Sequence, residues 1–231
     1  MSLISRTVHS LRTRGVRATC RSMGRHIALA RARFADRTFD RRFASDTAGV
    51  VENTALKDVA SPHLAHGIRY EPTFAAPLVQ LLRATAVPAH GTFVDIGCGK
   101  GRVLMLAALY GFRKLTGVDY SASLCQTAGR NLNHLRQARA LPIDVRIVAA
   151  DAAEYVFQPD DRVVYLFNPF DDVVLRMVLA HLGQSLAAHP RPVWLIYHHP
   201  VWRAAIDERP EFMPGATYSL GGRDFVVYRT R

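Results

Sequence analysis

From residue 92 onward, short apolar runs alternate with longer stretches of helical period. Thr92 to Ile96 (TFVDI) is an apolar run of strand length, and residues 101–112 carry apolar side chains at helical spacing up to Gly111, where a glycine closes such a segment. Residues 115–119 (LTGVD) form a second apolar run. Ser121 stands where an N-cap belongs, and the helix behind it aligns Leu124, Ala128, Leu132 and Leu135 into one buried stripe. Residues 143–148, 162–167 and 193–197 predict three more strands, with a helix over 171–188 between the last two. After a helix near 201–208, ATYSL and DFVVYR are separated by Gly-Gly-Arg and predict a closing hairpin. Strands alternating with helices predict an α/β protein with a doubly wound, mainly parallel seven-stranded sheet and an antiparallel C-terminal hairpin at its edge.

Upstream of residue 92 the pattern changes. Residues 72–84 read as a helix with Pro72 in its first turn. Residues 43–69 carry Asp46, Thr47, Gly49, Pro62, His63, His66 and Gly67 and predict a loop crossing the domain surface. Residues 1–42 hold 11 arginines against Asp36 and Asp40, a charge of +9, whereas the other 189 residues carry only +2 of the total +11. Leu3, Ile4, Val8 and Leu11 fall at helical spacing, with Gly15 and Gly24 interrupting, so 1–42 reads as a basic helical arm and 43–231 as the globular domain. Four readings of the arm stay open: an anionic-membrane helix, a nucleic-acid arm, an organelle presequence in a eukaryotic source, or a solvated helix packed on the domain.

Composition narrows the class. With 231 residues, 49% hydrophobic and 21% charged, the chain can fill one large core, which excludes disorder throughout. No run of 18 apolar residues is free of charge, so no spanning helix is expected. Cys20, Cys98 and Cys125 form neither a disulfide framework nor a metal-knuckle spacing, which implies a reducing compartment and a cytoplasmic location, with peripheral membrane association through the arm as a variant. No metal is expected.

In doubly wound sheets ligands bind beyond the carboxyl ends of the strands. There the first strand runs into Asp95-Ile-Gly97-Cys98-Gly99-Lys-Gly101-Arg102. The glycines allow a tight turn that bares backbone at a helix start. Their G-x-G-x-G spacing differs from the dinucleotide fingerprint, and a carboxylate at the mouth repels a pyrophosphate but suits an ammonium or sulfonium. The second strand ends in Asp119, 24 positions after Asp95, where a carboxylate can accept from both hydroxyls of a ribose. Asp151 follows the third strand, where an adenine edge can reach it.

FVDIGCGKGR, GVDYS, VAADAAEYV and YLFNPF, in this order, resemble the first four motifs of class I S-adenosylmethionine-dependent methyltransferases, over roughly residues 70–231. The resemblance implies a Rossmann-like fold and S-adenosylmethionine as cofactor. The loop of Gly97, Cys98, Gly99 and Gly101 would hold the methionine part with Asp95 near its amino end. Asp119 with Tyr120 would hold the ribose, and Asp151 with Ala152 the adenine. The segment Tyr70-Glu-Pro-Thr73 is similar to one that lies over the cofactor in seven-strand protein-lysine methyltransferases, and Asp46-Thr-Ala-Gly49 is similar to a feature of bacterial members without a known substrate.

The methyl acceptor should sit at Asn168-Pro169-Phe170, which also reaches the cofactor through Asn168. Family members acting on nucleobase or glutamine amino groups carry two prolines before the aromatic residue, and this chain has one, which argues against base flipping. The Asn168 amide oxygen and the Pro169 carbonyl can accept the hydrogens of a target amine while Phe170 walls the site. His198 and His199 are the nearest groups for a proton relay. The expected activity is direct methyl transfer to an amine, on a protein lysine or a small molecule. The alternatives are a nucleic-acid methyltransferase using the arginine arm, and a non-catalytic cofactor-binding or membrane-docked protein.

Overall fold

The structure is a computed structural model and describes residues 38–59 and 61–231. Seven strands form one sheet: β1 (Thr92–Ile96), β2 (Lys114–Asp119), β3 (Asp144–Ala149), β4 (Asp161–Phe167), β5 (Trp194–His198), β6 (Ala216–Leu220) and β7 (Arg223–Arg229). Their order is β3-β2-β1-β4-β5-β7-β6. The first five are parallel, and β7 runs antiparallel to β5 on one side and β6 on the other. The hairpin therefore folds back, β7 docking on β5 and β6 becoming the edge. Its turn is Gly221-Gly222, both at positive φ, as a two-residue hairpin turn of this twist requires.

Helices α1 (Phe39–Phe43), α2 (Ala75–Thr85), α3 (Arg102–Tyr110), α4 (Ala122–Ala138), α5 (Asp172–Ala188) and α6 (Ala204–Asp207) surround the sheet. Their ends follow the caps in the sequence. Ser121 Oγ accepts from the Leu124 N–H at 3.3 Å, Asp171 accepts from the Val173 N–H at 3.1 Å, and Gly111 ends α3. Two expectations are corrected. The helix expected from Pro72 begins at Ala75, because Tyr70 pairs with Val51 in an isolated antiparallel bridge and Thr73 is held by the Tyr165 hydroxyl at 3.1 Å, keeping this segment extended. The helix expected near 201–208 shrinks to Ala204–Asp207.

Successive strand residues point to opposite faces, and the sheet separates two cores accordingly. Phe93, Val163, Tyr165, Ile196 and Phe225 pack with Leu78, Leu104 and Leu132 of α2, α3 and α4. Val94, Ile96, Val164, Leu166 and Tyr197 pack with Leu175, Val178 and Leu182 of α5. The packed body starts before residue 43, since Phe39 of α1 is buried in the first core. Residues 1–37 of the expected arm lie outside the described residues. Among the described residues, no helix is long and apolar enough to cross a membrane.

The lead-in loop is bound to the glycine turn by a polar hub. Asp40 accepts from Ser45 Oγ at 2.8 Å and from the backbone of Thr47 and Ala48 at 2.9 and 2.7 Å. The Thr47 hydroxyl donates to Asp40 and accepts from Arg102 Nε at 2.7 Å. The buried Arg102 guanidinium lies 4.7 Å above the Phe39 ring. Asn131 of α4 grips both Asp46 and the Lys100 carbonyl. The Asp46–Gly49 signature is thus a structural tie between loop, α1 and α3.

Candidate active site

The chain leaves β1 toward β2 and returns at β4, so the sheet's switch point lies between the ends of β1 and β4. A cavity of about 600 Å³ opens there, within the usual size of small-molecule sites. It touches Gly97 after β1, Asp119 and Tyr120 after β2, Phe167, Asn168 and Pro169 after β4, His199 after β5, and Asn53, Glu52, Tyr70 and Glu71 from the lead-in loop. Behind it a pocket of about 30 Å³ is shaped by Asp119, Asp151, Ala152, Pro169 and Phe170 under Ser61 and His63.

Asp119 is the acid common to both spaces. One carboxylate oxygen accepts from the Gly99 N–H at 2.8 Å and the other from the Ser121 N–H at 2.9 Å. Each oxygen keeps a lone pair, so the group is aimed and still able to accept from a diol. Burial pushes its carboxyl up to about 6 against the pull of those two N–H donors. Tyr120 reaches across to the Asn53 amide at 3.1 Å, and Asn53 holds the Gly67 carbonyl at 2.6 Å.

Asp95 lies in a pocket that adjoins the main cavity through Tyr70, Glu71, Gly97 and Phe167. By strand alternation it points to the face of Phe93, where it lines a narrow pocket with Tyr70, Thr73, Cys98, Arg102 and Tyr165, and it does not line the main cavity. Burial, reinforced by the Asp119 charge, holds its carboxyl well above the usual range. Thr73 belongs to the same pocket, bonded to Tyr165. Tyr70 lies against the bare Gly99 backbone and donates to the Thr47 carbonyl at 2.6 Å. Gly97 faces Pro169, while Gly101 starts α3 against Ala128 and lines none of these spaces.

The Asp151 carboxylate is already engaged by Ser61 Oγ, by His63 Nδ1 at 2.8 Å and by the Ala153 N–H at 2.8 Å. Burial alone would raise this carboxyl, but these donors outweigh it and hold it below its ordinary value. A single lone pair on Oδ1 remains for a further donor. The pocket is narrower than a purine, so the strap carrying Ser61 and His63 has to give way for a ring to enter.

On the acceptor side, Asn168 sits at φ +40° with its side chain buried. Tyr197 donates to its Oδ1 at 2.7 Å, and the Ile68 N–H donates to the Pro169 carbonyl at 2.8 Å. Both expected amine acceptors thus have one lone pair taken and one left. Phe170 does not wall the main cavity, because it turns into the second core beside the small pocket; Phe167 forms that wall instead. The two histidines separate. His198 is buried between the rings of Phe167 and Phe225, 3.8 and 4.4 Å away, with Nδ1 2.9 Å from the Tyr165 hydroxyl. Burial, with Arg223 and His199 adding to it, drives its imidazole far below the usual range, so it stays neutral and is no relay to the cavity. His199 lines the cavity.

The sequence reading missed Glu52, Asn53, Glu71, Phe167 and Tyr197. Glu52 and Asn53 come from a loop with no helix or strand period, and Phe167 and Tyr197 read as ordinary strand residues. Position within two residues of a parallel strand's carboxyl end is the signal that marks the last two.

A methyltransferase-domain family model matches residues 93–188. The chain is 29% identical over 118 residues to a ribosomal protein L11 methyltransferase of Desulfotalea psychrophila, covering 51% of this chain and 37% of that protein. It is 36% identical over 52 residues to EEF1A lysine methyltransferase 2 of Homo sapiens, 22% of either chain. The chain therefore spans well under half the length of both curated relatives. Among solved structures, a SAM dependent methyltransferase from Aquifex aeolicus aligns with a TM-score of 0.54 at 12% identity, covering 77% of this chain and 97% of that one. Residues 93–188 are a methyltransferase domain, set in the seven-stranded fold of the class I S-adenosylmethionine-dependent methyltransferases.

Proposed function

We propose that this protein transfers a methyl group from S-adenosylmethionine to an amine nitrogen, on a protein lysine or a small amine. One observation carries the reading: a single cavity joins Asp119, read as the ribose acid, to Asn168 and Pro169, read as the groups that meet an acceptor. One curated relative, matched over 22% of either chain, is named a lysine methyltransferase, which supports an amine acceptor. The cofactor supplies an electrophilic methyl on a sulfonium, and the residues of this chain orient what meets it. Asp119, Tyr120 and the Gly97–Gly99 turn would hold it, with Asp151 and Ala152 at its far end. A lysine with a reference pKa of about 10.4 is neutral in only about one molecule in 2,500 at pH 7. Desolvation against Phe167, beside a cation, favours the neutral form. The free lone pairs of Asn168 Oδ1 and the Pro169 carbonyl accept the amine hydrogens, which turns the nitrogen lone pair inward. His199, which lines the cavity, would take the released proton.

Incubating the protein with labelled cofactor and fractionated lysate tests the reading. Acid-stable label recovered as methylated lysine or amine is expected; label released as methanol by mild base would mark a carboxylate acceptor and overturn it. Asn168→Ala is expected to lower transfer roughly a hundredfold while cofactor affinity stays within about threefold.

For the arm, we propose docking to an anionic partner, a membrane surface or a nucleic acid, without a part in chemistry. Because Phe39 and Asp40 belong to the packed body, the truncation that tests this removes residues 1–37, with nine arginines and one aspartate. Cofactor affinity should persist, while binding to anionic vesicles or nucleic acid should weaken and lose much of its salt dependence. Loss of cofactor binding on truncation would overturn the docking role.

A further inference from the structure

We propose that Tyr197 is the positioning residue of the acceptor site, locking the Asn168 amide so that its oxygen keeps a fixed direction during methyl transfer. The inference rests on the methyl-transfer reading of the cavity and adds a residue to it. Tyr197 lies in β5 opposite Leu166 of β4, two positions before Asn168, with its ring buried in the second core. Its hydroxyl is 2.7 Å from Asn168 Oδ1, and the Trp202 backbone nitrogen is 3.4 Å from the same hydroxyl. A backbone N–H only donates, so it takes a lone pair of the phenol and leaves the phenolic hydrogen for Asn168. The donors therefore run from Trp202 N–H to Tyr197 O–H to Asn168 Oδ1, with the phenolic hydrogen on the amide oxygen. Burial pushes the Tyr197 phenol up to about 12, so it remains a donor across the neutral range.

The lock matters because little else holds this amide. Asn168 occupies a left-handed backbone conformation at the end of β4, and among the described residues its Nδ2 has no hydrogen-bond partner. Without the tyrosine hydroxyl, the amide could turn and present its NH₂ to an incoming amine. Two donors would then face each other where attack needs an acceptor. Replacing the hydroxyl leaves the ring packing intact and exposes only the Trp202 N–H, in a partly exposed loop where water can serve it.

Tyr197→Phe tests the proposal. Cofactor affinity by calorimetry is expected within twofold of wild type. With the lysate fraction that wild type labels, kcat is expected to fall roughly ten- to hundredfold with acceptor KM within about threefold. Added to Asn168→Ala, it is expected to lower transfer no further. A readout independent of the acceptor uses protein labelled with ¹⁵N-asparagine. The Asn168 side-chain amide, assigned by its loss in Asn168→Ala, should give one sharp pair of resonances in wild type and a shifted or broadened pair in Tyr197→Phe. An unchanged pair, or losses that multiply in the double variant, overturns the proposal. If wild type labels no fraction while the amide pair responds as expected, the lock stands and the methyl-transfer reading is what fails.

Discussion

Asp119→Ala is expected to weaken S-adenosylmethionine binding a hundredfold or more. Two hydroxyl bonds to a carboxylate contribute roughly 1.5–3 kcal/mol each, and about 1.4 kcal/mol is a factor of ten. The carboxylate also aims the Gly99 and Ser121 N–H groups, at 2.8 and 2.9 Å, so its removal loosens the turn that receives the ligand. Its titration gives a second, signed outcome. In the free protein the Asp119 carboxyl is pushed from its ordinary 3.8 up to about 6 by burial. Between those values the folded state binds more protons than the unfolded one, so stability from this group falls as pH rises from 3.8 to 6, by about 3 kcal/mol in all. Hydroxyl donors favour the ionised form, so cofactor affinity should rise as pH climbs through 6 and level off above it. Calorimetry at pH 5 to 8 reads this directly, and Asp119→Asn, which cannot ionise, should remove the dependence and leave any share due to Asp95. A flat affinity in wild type from pH 5 to 7.5 would count against Asp119 as the ribose acceptor.

Gly99→Val is expected to lower both stability and cofactor binding, for a reason the motif alone misassigns. A Cβ at Gly99 would stand 2.2 Å from the Tyr70 ring, at φ +51°. A β-branched residue there pays about 1–2 kcal/mol in backbone strain and roughly 1–3 kcal/mol in overpacking. The melting temperature should drop by roughly 10 °C for a domain of this size. Because the clash is with one named ring, Gly99→Ala combined with Tyr70→Ala should cost less than the two single changes added together. Strict additivity would show that Tyr70 does not pack on Gly99 in solution.

Much of the fold is legible in the pattern. The central strands are short apolar runs, the closing hairpin is marked by its Gly-Gly turn, and the caps at Ser121, Asp171 and Gly111 lie where local chemistry puts them. Pro72 misled because a proline suits a first helical turn, yet the Val51–Tyr70 bridge and the Thr73–Tyr165 bond, both long-range, keep it extended. The cofactor side was legible as motifs, though not in its contacts. Asp151 looks free in VAADA and is capped by Ser61 and His63 from about 90 residues upstream. The acceptor side was least legible: Phe170 and Phe167 are both aromatic and three positions apart, and only the turn at Asn168 decides which faces the cavity.

By itself, then, the sequence determined the strand–helix alternation, the doubly wound class, the G-x-G-x-G turn and the acids at the strand ends, because each depends on local period, cap or turn chemistry. Only the tertiary structure decided that Asp95 lines a narrow pocket beside the main cavity, that His198 is sealed between two rings while His199 reaches the cavity, and that Tyr197 holds Asn168. Those outcomes depend on strand order and on which sheet face each side chain takes. Both are settled by pairing between segments far apart in the chain.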